Sequence, residues 1–218
     1  MPPLTLVTTK SPDQLTPAIS SGCARLVPGS TPVFVERVPA AGALVNKCTF
    51  NVQRFLAEHS GEMVLGWEVC VWDNVLLDCI GHIVVRLDDQ LRCVTPSKYG
   101  DTRLLFLPDP RLAFNFNDPM ARMPATQISL SSRAEVKRLI EVQSMERAIK
   151  IKYPVSSGQI LIQGEDAIAL QRISREKEIL ILKVILATND HTSRCPCGSG
   201  KKFRKCHRTD IEQMLRHS

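Results

Sequence analysis

The sequence predicts an α+β protein: a strand-rich body with one embedded helix, followed by a helical hairpin and a small C-terminal Cys/His knuckle. Three observations carry this. β-Branched, aromatic and apolar residues crowd residues 64–107 between turn signals. Apolar residues then recur at helical spacing in two long segments after Ser132. Finally, three thiols and an imidazole fall within residues 195–207. The expected divisions are a body over 1–125, a helical hairpin packed on it over 126–188, a linker over 189–194, and a metal-binding tail over 195–218.

Residues 1–42 hold seven prolines, a spacing that predicts no long helix and at most short extended pieces such as 32–38. Thr49, as N-cap, followed by Phe50, Val52, Phe55 and Leu56 predicts a helix over about 50–59, with Gly61 as the stop. Strands are expected over 64–77 and 80–87, a tight turn at Asp88–Gln90, a returning strand over 91–95 ended by Pro96, and a short strand over 104–107. Trp67 and Trp72, five residues apart in a strand, should project to opposite faces, one into the core and one toward a groove. Val136, Leu139, Ile140, Val142, Met145 and Ile149 predict an amphipathic helix ending near Lys152, with Ser131 and Ser132 available to cap it. Tyr153-Pro154 and the Ser-Ser-Gly after it break that pattern. Ile168, Leu170, Ile173, Ile179, Leu182 and Ile185 predict a partner helix over 165–188.

Composition narrows the class. At 218 residues, 44% hydrophobic and 23% charged, the chain can bury a core and is neither fibrous nor disordered. The first ten residues carry two prolines and no apolar run, which predicts no export signal and a mature start near Met1. The longest apolar stretch, 179–187, is interrupted by Lys183 and is far short of the roughly 20 residues that cross a bilayer. A reduced, cytoplasmic setting follows as the expectation, with the eight cysteines free as core residues, ligands or nucleophiles. The net charge of +6 is concentrated: from His191 onward seven basic residues face two acidic ones, while the remainder is nearly balanced. A partner selected by charge therefore meets the C-terminus.

Cys195, Cys197, Cys206 and His207 supply four soft or borderline ligands, the number tetrahedral zinc takes, and Gly198 and Gly200 allow the sharp return between the two halves. Four protein ligands leave no open position, so the ion should be structural. The run Cys195-Pro196-Cys197-Gly198-Ser199-Gly200-Lys201-Lys202-Phe203-Arg204-Lys205-Cys206-His207 closely resembles the SEC-C motif, a zinc knuckle named for the C-terminus of the preprotein-translocase motor SecA. Arg208 stands where that family usually has glycine. The resemblance implies that Cys195, Cys197, Cys206 and His207 ligate zinc and that the tail docks onto a macromolecular partner such as an export chaperone or the ribosome. The surrounding Lys201, Lys202, Arg204, Lys205 and Arg208 have two readings: contacts to RNA phosphates, or compensation of thiolate charge and contact with an acidic protein.

A second candidate lies in the body. Cys48 directly precedes a predicted helix, where unpaired backbone N–H groups favour a thiolate. His82 begins a strand, and the hairpin brings Thr95 and Cys93 near it. The order of cysteine at a helix start, histidine on a following strand and a polar residue on the next resembles papain-like thiol hydrolases. That resemblance implies Cys48 as nucleophile, His82 as base and Thr95 or Cys93 near the orienting position, with Asn51 placed either to help an oxyanion or to face solvent. Competing readings make Cys48 a small buried hydrophobe and His82 a satisfied core histidine, or join Cys48, His82 and Cys93 in a second metal site. Cys23, Cys70 and Cys79 are expected in the core. The leading function is thus a zinc-binding docking protein, and the alternative is a papain-like protease, amidase or deamidase brought to its substrate by the tail.

Overall fold

The computed structural model describes residues 9–118, 120–155 and 159–217. Among them no helix is long and apolar enough to cross a membrane. The chain forms two compact units: one comprises Lys10–Val71 and Leu77–Ile128, the other Trp72–Leu76 and the chain from Ser129 onward.

The first unit is a strand barrel. Its strands are β1 (Val33–Arg37), β2 (Glu62–Trp72), β3 (Leu76–Leu87), β4 (Gln90–Cys93), β5 (Arg103–Pro108) and β6 (Ala125–Ser129). They lie in the order β2-β5-β1-β4-β3-β6, and β2 also pairs with β3, so five strands close on themselves and β6 extends from β3. Closure removes the free edges of the five. β1 and β4 run parallel; β1–β5, β2–β5 and β3–β4 are antiparallel. Leu87 pairs with Gln90 around Asp88 and Asp89, whose φ of 46° and 62° define the tight turn expected there.

Side-chain alternation separates the two faces of β3 and β4. Val84 and Cys93 share a cluster with Val35, Leu104 and Phe106, while Ile83, Val85 and Val94 pack under Val52, Phe55 and Leu56 of helix α2 (Cys48–Leu56). His82, two residues before Val84, belongs to the first face.

Gly66 of β2 is dictated by this closure. A methyl group there would meet the Leu107 carbonyl oxygen and lie 2.5 Å from the Phe106 ring. Gly66→Ala should therefore push β2 from β5 and cost about 1–3 kcal/mol, read as a lower urea midpoint at unchanged m-value. An unshifted midpoint would contradict this packing.

Several expectations change. Helix α1 (Pro17–Leu26) occupies a segment expected to be extended: Pro17 sits at the start of the helix, where its missing N–H costs nothing, and the Thr16 hydroxyl accepts from the Ile19 amide at 3.3 Å. Proline spacing forbids helix interiors but not a helix lying between prolines. Among the described residues the body accordingly holds two helices, α1 and α2, rather than one. α2 begins at Cys48, with Lys47 rather than Thr49 at the cap position. β6 was not anticipated, although Thr126 and Ile128 alternate within it; the Gln127 amide donates to the Asp78 carboxylate at 2.8 Å. Trp67 and Trp72 are both buried, so neither lines a groove. The Trp67 indole donates to Asp109 at 3.0 Å.

The second unit is built on a helical hairpin of α3 (Ala134–Lys150) and α4 (Gly164–Thr188). Arg138–Glu176 and Lys152–Asp166 pairs tie the helices in antiparallel order. Val136, Leu139 and Val142 meet Ile173, Leu180, Val184 and Ile185, and this core continues into Cys195, Phe203 and Ile211. Met145 and Ile168, expected in the apolar stripe, are exposed. The hairpin tip Trp72–Leu76 contributes Trp72, Val75 and Leu76 to the same core.

Candidate functional site

After α4 the chain makes a tight knuckle. Arg194 and Lys202 form an antiparallel bridge, the Cys195 amide donates to the Lys201 carbonyl at 2.8 Å, and the Phe203 amide donates to the Ser193 carbonyl at 2.8 Å. Gly198 and Gly200 make the return with φ of 77° and 72°, a region other residues adopt with strain. A single 3-10 turn at Phe203–Lys205 then delivers Cys206 and His207, and α5 (Arg208–Arg216) starts at once. Arg208, the departure from the usual glycine, is the first residue of that helix and pairs with Glu212 at 2.8 Å.

The ligand atoms of Cys195, Cys197, Cys206 and His207 all lie within 4.8 Å of one another. The Cys197 and Cys206 sulfurs are 3.7 Å apart, and His207 Nδ1 is 3.3 Å from both the Cys195 and the Cys206 sulfur. A tetrahedral zinc site with ordinary bond lengths has S···S edges of about 3.8 Å and S···N edges of about 3.5 Å. The spacings fit a shared ion, and they identify Nδ1 as the histidine donor. Ser199, whose position between the two glycines gave no ligand signal, places its hydroxyl 3.1 Å from the Cys197 sulfur and 3.5 Å from that of Cys206. Its hydrogen bond is the first cause holding the Cys197 thiol below its ordinary range, whereas burial raises Cys195. Phe203 fills the space beneath the knuckle, fully buried.

The site thus belongs to the class of four-ligand Cys/His knuckles able to hold a metal ion. Residues 192–208 match the family model of the SEC-C motif. No curated protein and no solved structure matches the chain.

The barrel holds a different cluster. His82 is buried, with Nε2 3.2 Å from the Cys93 sulfur and Nδ1 3.8 Å from Glu68. Glu68 pairs with the buried Arg37, whose guanidinium also reaches the Cys93 sulfur at 3.5 Å and the Thr95 carbonyl at 3.3 Å. Burial first, and Arg37 second, lower the His82 pKa to about 3, so the imidazole is neutral at pH 7. Burial also raises Cys48, opposed by backbone N–H groups of Ile83, Thr49 and Cys48 itself. Cys93 is raised to about 11 by burial.

These contacts sort the expected residues. Among the described residues no hydrogen bond joins the Cys48 thiol to His82, whose Nε2 meets Cys93 instead, so the expected nucleophile–base pair is not formed. Cys93, not Thr95, meets the imidazole; the Thr95 hydroxyl accepts from Asn51 at 3.1 Å. Asn51 is buried and fully engaged, exchanging hydrogen bonds with the Leu44 backbone at 2.9 and 2.7 Å, so it neither faces solvent nor points at an oxyanion. Among the described residues Cys48, His82 and Cys93 do not converge as a metal-ligand set. Cys23 and Cys79 are buried as expected, while Cys70 is half-buried. Arg37 and Glu68 were missed, and their signal was charge in otherwise apolar strands, Glu36-Arg37 at the end of VFVER and Glu68 inside GWEVCVW. A cleft of about 230 Å³ runs along α2 between Ala40, Ala43, Asn51, Arg54, Phe55 and His59, without Cys48 or His82 in its wall.

Proposed function

We propose that this protein is a zinc-binding docking protein, whose SEC-C knuckle holds a structural zinc ion and presents a cationic turn to an acidic protein surface. Three thiolates and an imidazole in tetrahedral spacing are the donor set zinc prefers, and they leave no position for substrate. The observation that supports docking is the division of residues 201–205: Phe203 is fully buried, while Lys201, Lys202, Arg204 and Lys205 are all exposed. The knuckle spends its one large apolar side chain on its own core and turns its charge outward. Such a charged face speeds encounter and sets partner choice.

The double variant Lys201→Glu/Lys205→Glu should keep one zinc per chain and lose capture of its partner, and Cys197→Ser should lose both. Capture should weaken as salt rises. Undiminished capture by the charge-reversed protein would sink the docking reading. Capture abolished by ribonuclease would assign the surface to RNA instead.

A further inference from the structure

We infer that the Cys197–Cys206 edge of the knuckle is a redox switch: a peroxide joins the two sulfurs in a disulfide, which takes two of the four ligands from the ion and unfastens the knuckle. This rests on the zinc reading of the site just given, and not on what the knuckle docks to.

Burial singles out the pair. Cys195 is only 4% exposed and belongs to the apolar core with Phe203 and Ile211. Cys197 and Cys206 are half-buried and pack against that core from its margin. Their sulfurs lie 3.7 Å apart. A sulfur–sulfur bond is about 2.0 Å long, so the two must approach by less than about 2 Å. The turn beside them stands in the open: a methyl group added at Gly198 would meet no atom within 4 Å beyond its chain neighbours. The exposed Ser199 sets its hydroxyl oxygen 3.1 and 3.5 Å from the two sulfurs. An oxygen therefore fits against both sulfurs at once, and a small peroxide can take that place when the serine side chain rotates outward.

The chemistry closes with a peroxide as the one added reactant. The Cys197 sulfur attacks a peroxide oxygen, the O–O bond breaks, and hydroxide leaves. Cys197 is then a sulfenic acid, oxidised by two electrons. The Cys206 sulfur attacks the Cys197 sulfur, the S–S bond forms, and a second hydroxide leaves. Two protons from solvent turn both hydroxides into water, so one peroxide is reduced to two waters and two thiolates become one disulfide. Only Cys195 and His207 then remain as ligands, two short of the tetrahedral set. A dithiol reductant reverses the step by exchange. In the docking reading, the oxidised knuckle no longer holds its cationic turn in a fixed place.

The test treats the full-length, zinc-loaded protein with hydrogen peroxide at pH 7. Released zinc is read with a chromogenic chelator, disulfides by mass mapping, and the Phe203 amide by hydrogen exchange. The expected result is one zinc released for each 197–206 disulfide, with lost protection at Phe203. Dithiothreitol followed by added zinc should restore both. A disulfide through Cys195, a sulfinic acid on one knuckle cysteine without any disulfide, or zinc retained in the oxidised chain overturns the switch. Zinc released with unchanged protection at Phe203 overturns it too, since the knuckle then keeps its shape without the ion. A chain that binds no zinc before peroxide is added overturns the zinc reading itself, and the inference with it.

Discussion

Stripping the metal with a chelator is expected to release the knuckle and loosen the helical unit while leaving the barrel closed. Cys195, Phe203 and Ile211 belong to one core with Val136, Leu139, Val184 and Ile185, so the knuckle that carries the Cys/His cluster is part of the packing of α3 and α4. Isolated zinc knuckles owe essentially all their folding free energy to the ion, about 10–16 kcal/mol in apparent terms. Here the loss is shared with the helices, which keep their own contacts. Hydrogen exchange reads the result: the amides of Cys195, Phe203, Cys206 and Ile211, all hydrogen-bonded in the knuckle or at the start of α5, should lose protection. Those of β2 and β5 should not. Stoichiometric metal loss with unchanged protection at Phe203 would show that the knuckle is held by its apolar contacts alone.

Acid is expected to weaken the barrel through His82. The imidazole titrates near 3 in the folded chain and near 6.5 when unfolded, so below pH 6.5 the unfolded chain takes up a proton that the native state refuses. The stabilisation is complete above pH 6.5 and is lost progressively toward pH 3, at about 1.4 kcal/mol per pH unit. Glu68 acts with opposite sign: burial holds its carboxyl above the ordinary range despite Arg37, so its contribution shrinks as pH rises through its folded pKa. Urea titrations between pH 4 and 7 in a Glu68→Gln background isolate the histidine. His82→Gln in that background should flatten the slope; an equal slope in both would remove His82 as the cause.

Much of this was legible in the residues. The ligand set of the knuckle needed only spacing and ligand chemistry, because the four groups lie within one turn of chain and no distant contact decides their meeting. The helical hairpin was legible for a similar reason, since periodicity is a local property. The barrel was less so. Its closure is a matter of which strands pair at long range, and nothing in Leu104–Leu107 tells that β5 lies between β1 and β2. The identity of the imidazole's partner turned on the same point. Cys93 and Thr95 both project to the side of His82 by alternation, and the choice fell to Asn51, which claims the Thr95 hydroxyl from a helix more than forty residues earlier. Sequence spacing alone could not choose between them.

The tip of the β2–β3 hairpin, Trp72–Leu76, belongs with the helices, although its strands belong to the barrel. In a chain made from its N-terminus, this sets an order of events. The barrel has its last residues once Ile128 has been synthesised, and it can close while Trp72, Val75 and Leu76 still lack the apolar side chains that cover them. Those arrive first with Val136 and Leu139 and last with Phe203 and Ile211. Throughout that interval a nascent chain carries a finished barrel and a bare indole at its hairpin tip, a surface that solvent or a chaperone must meet until the knuckle is made.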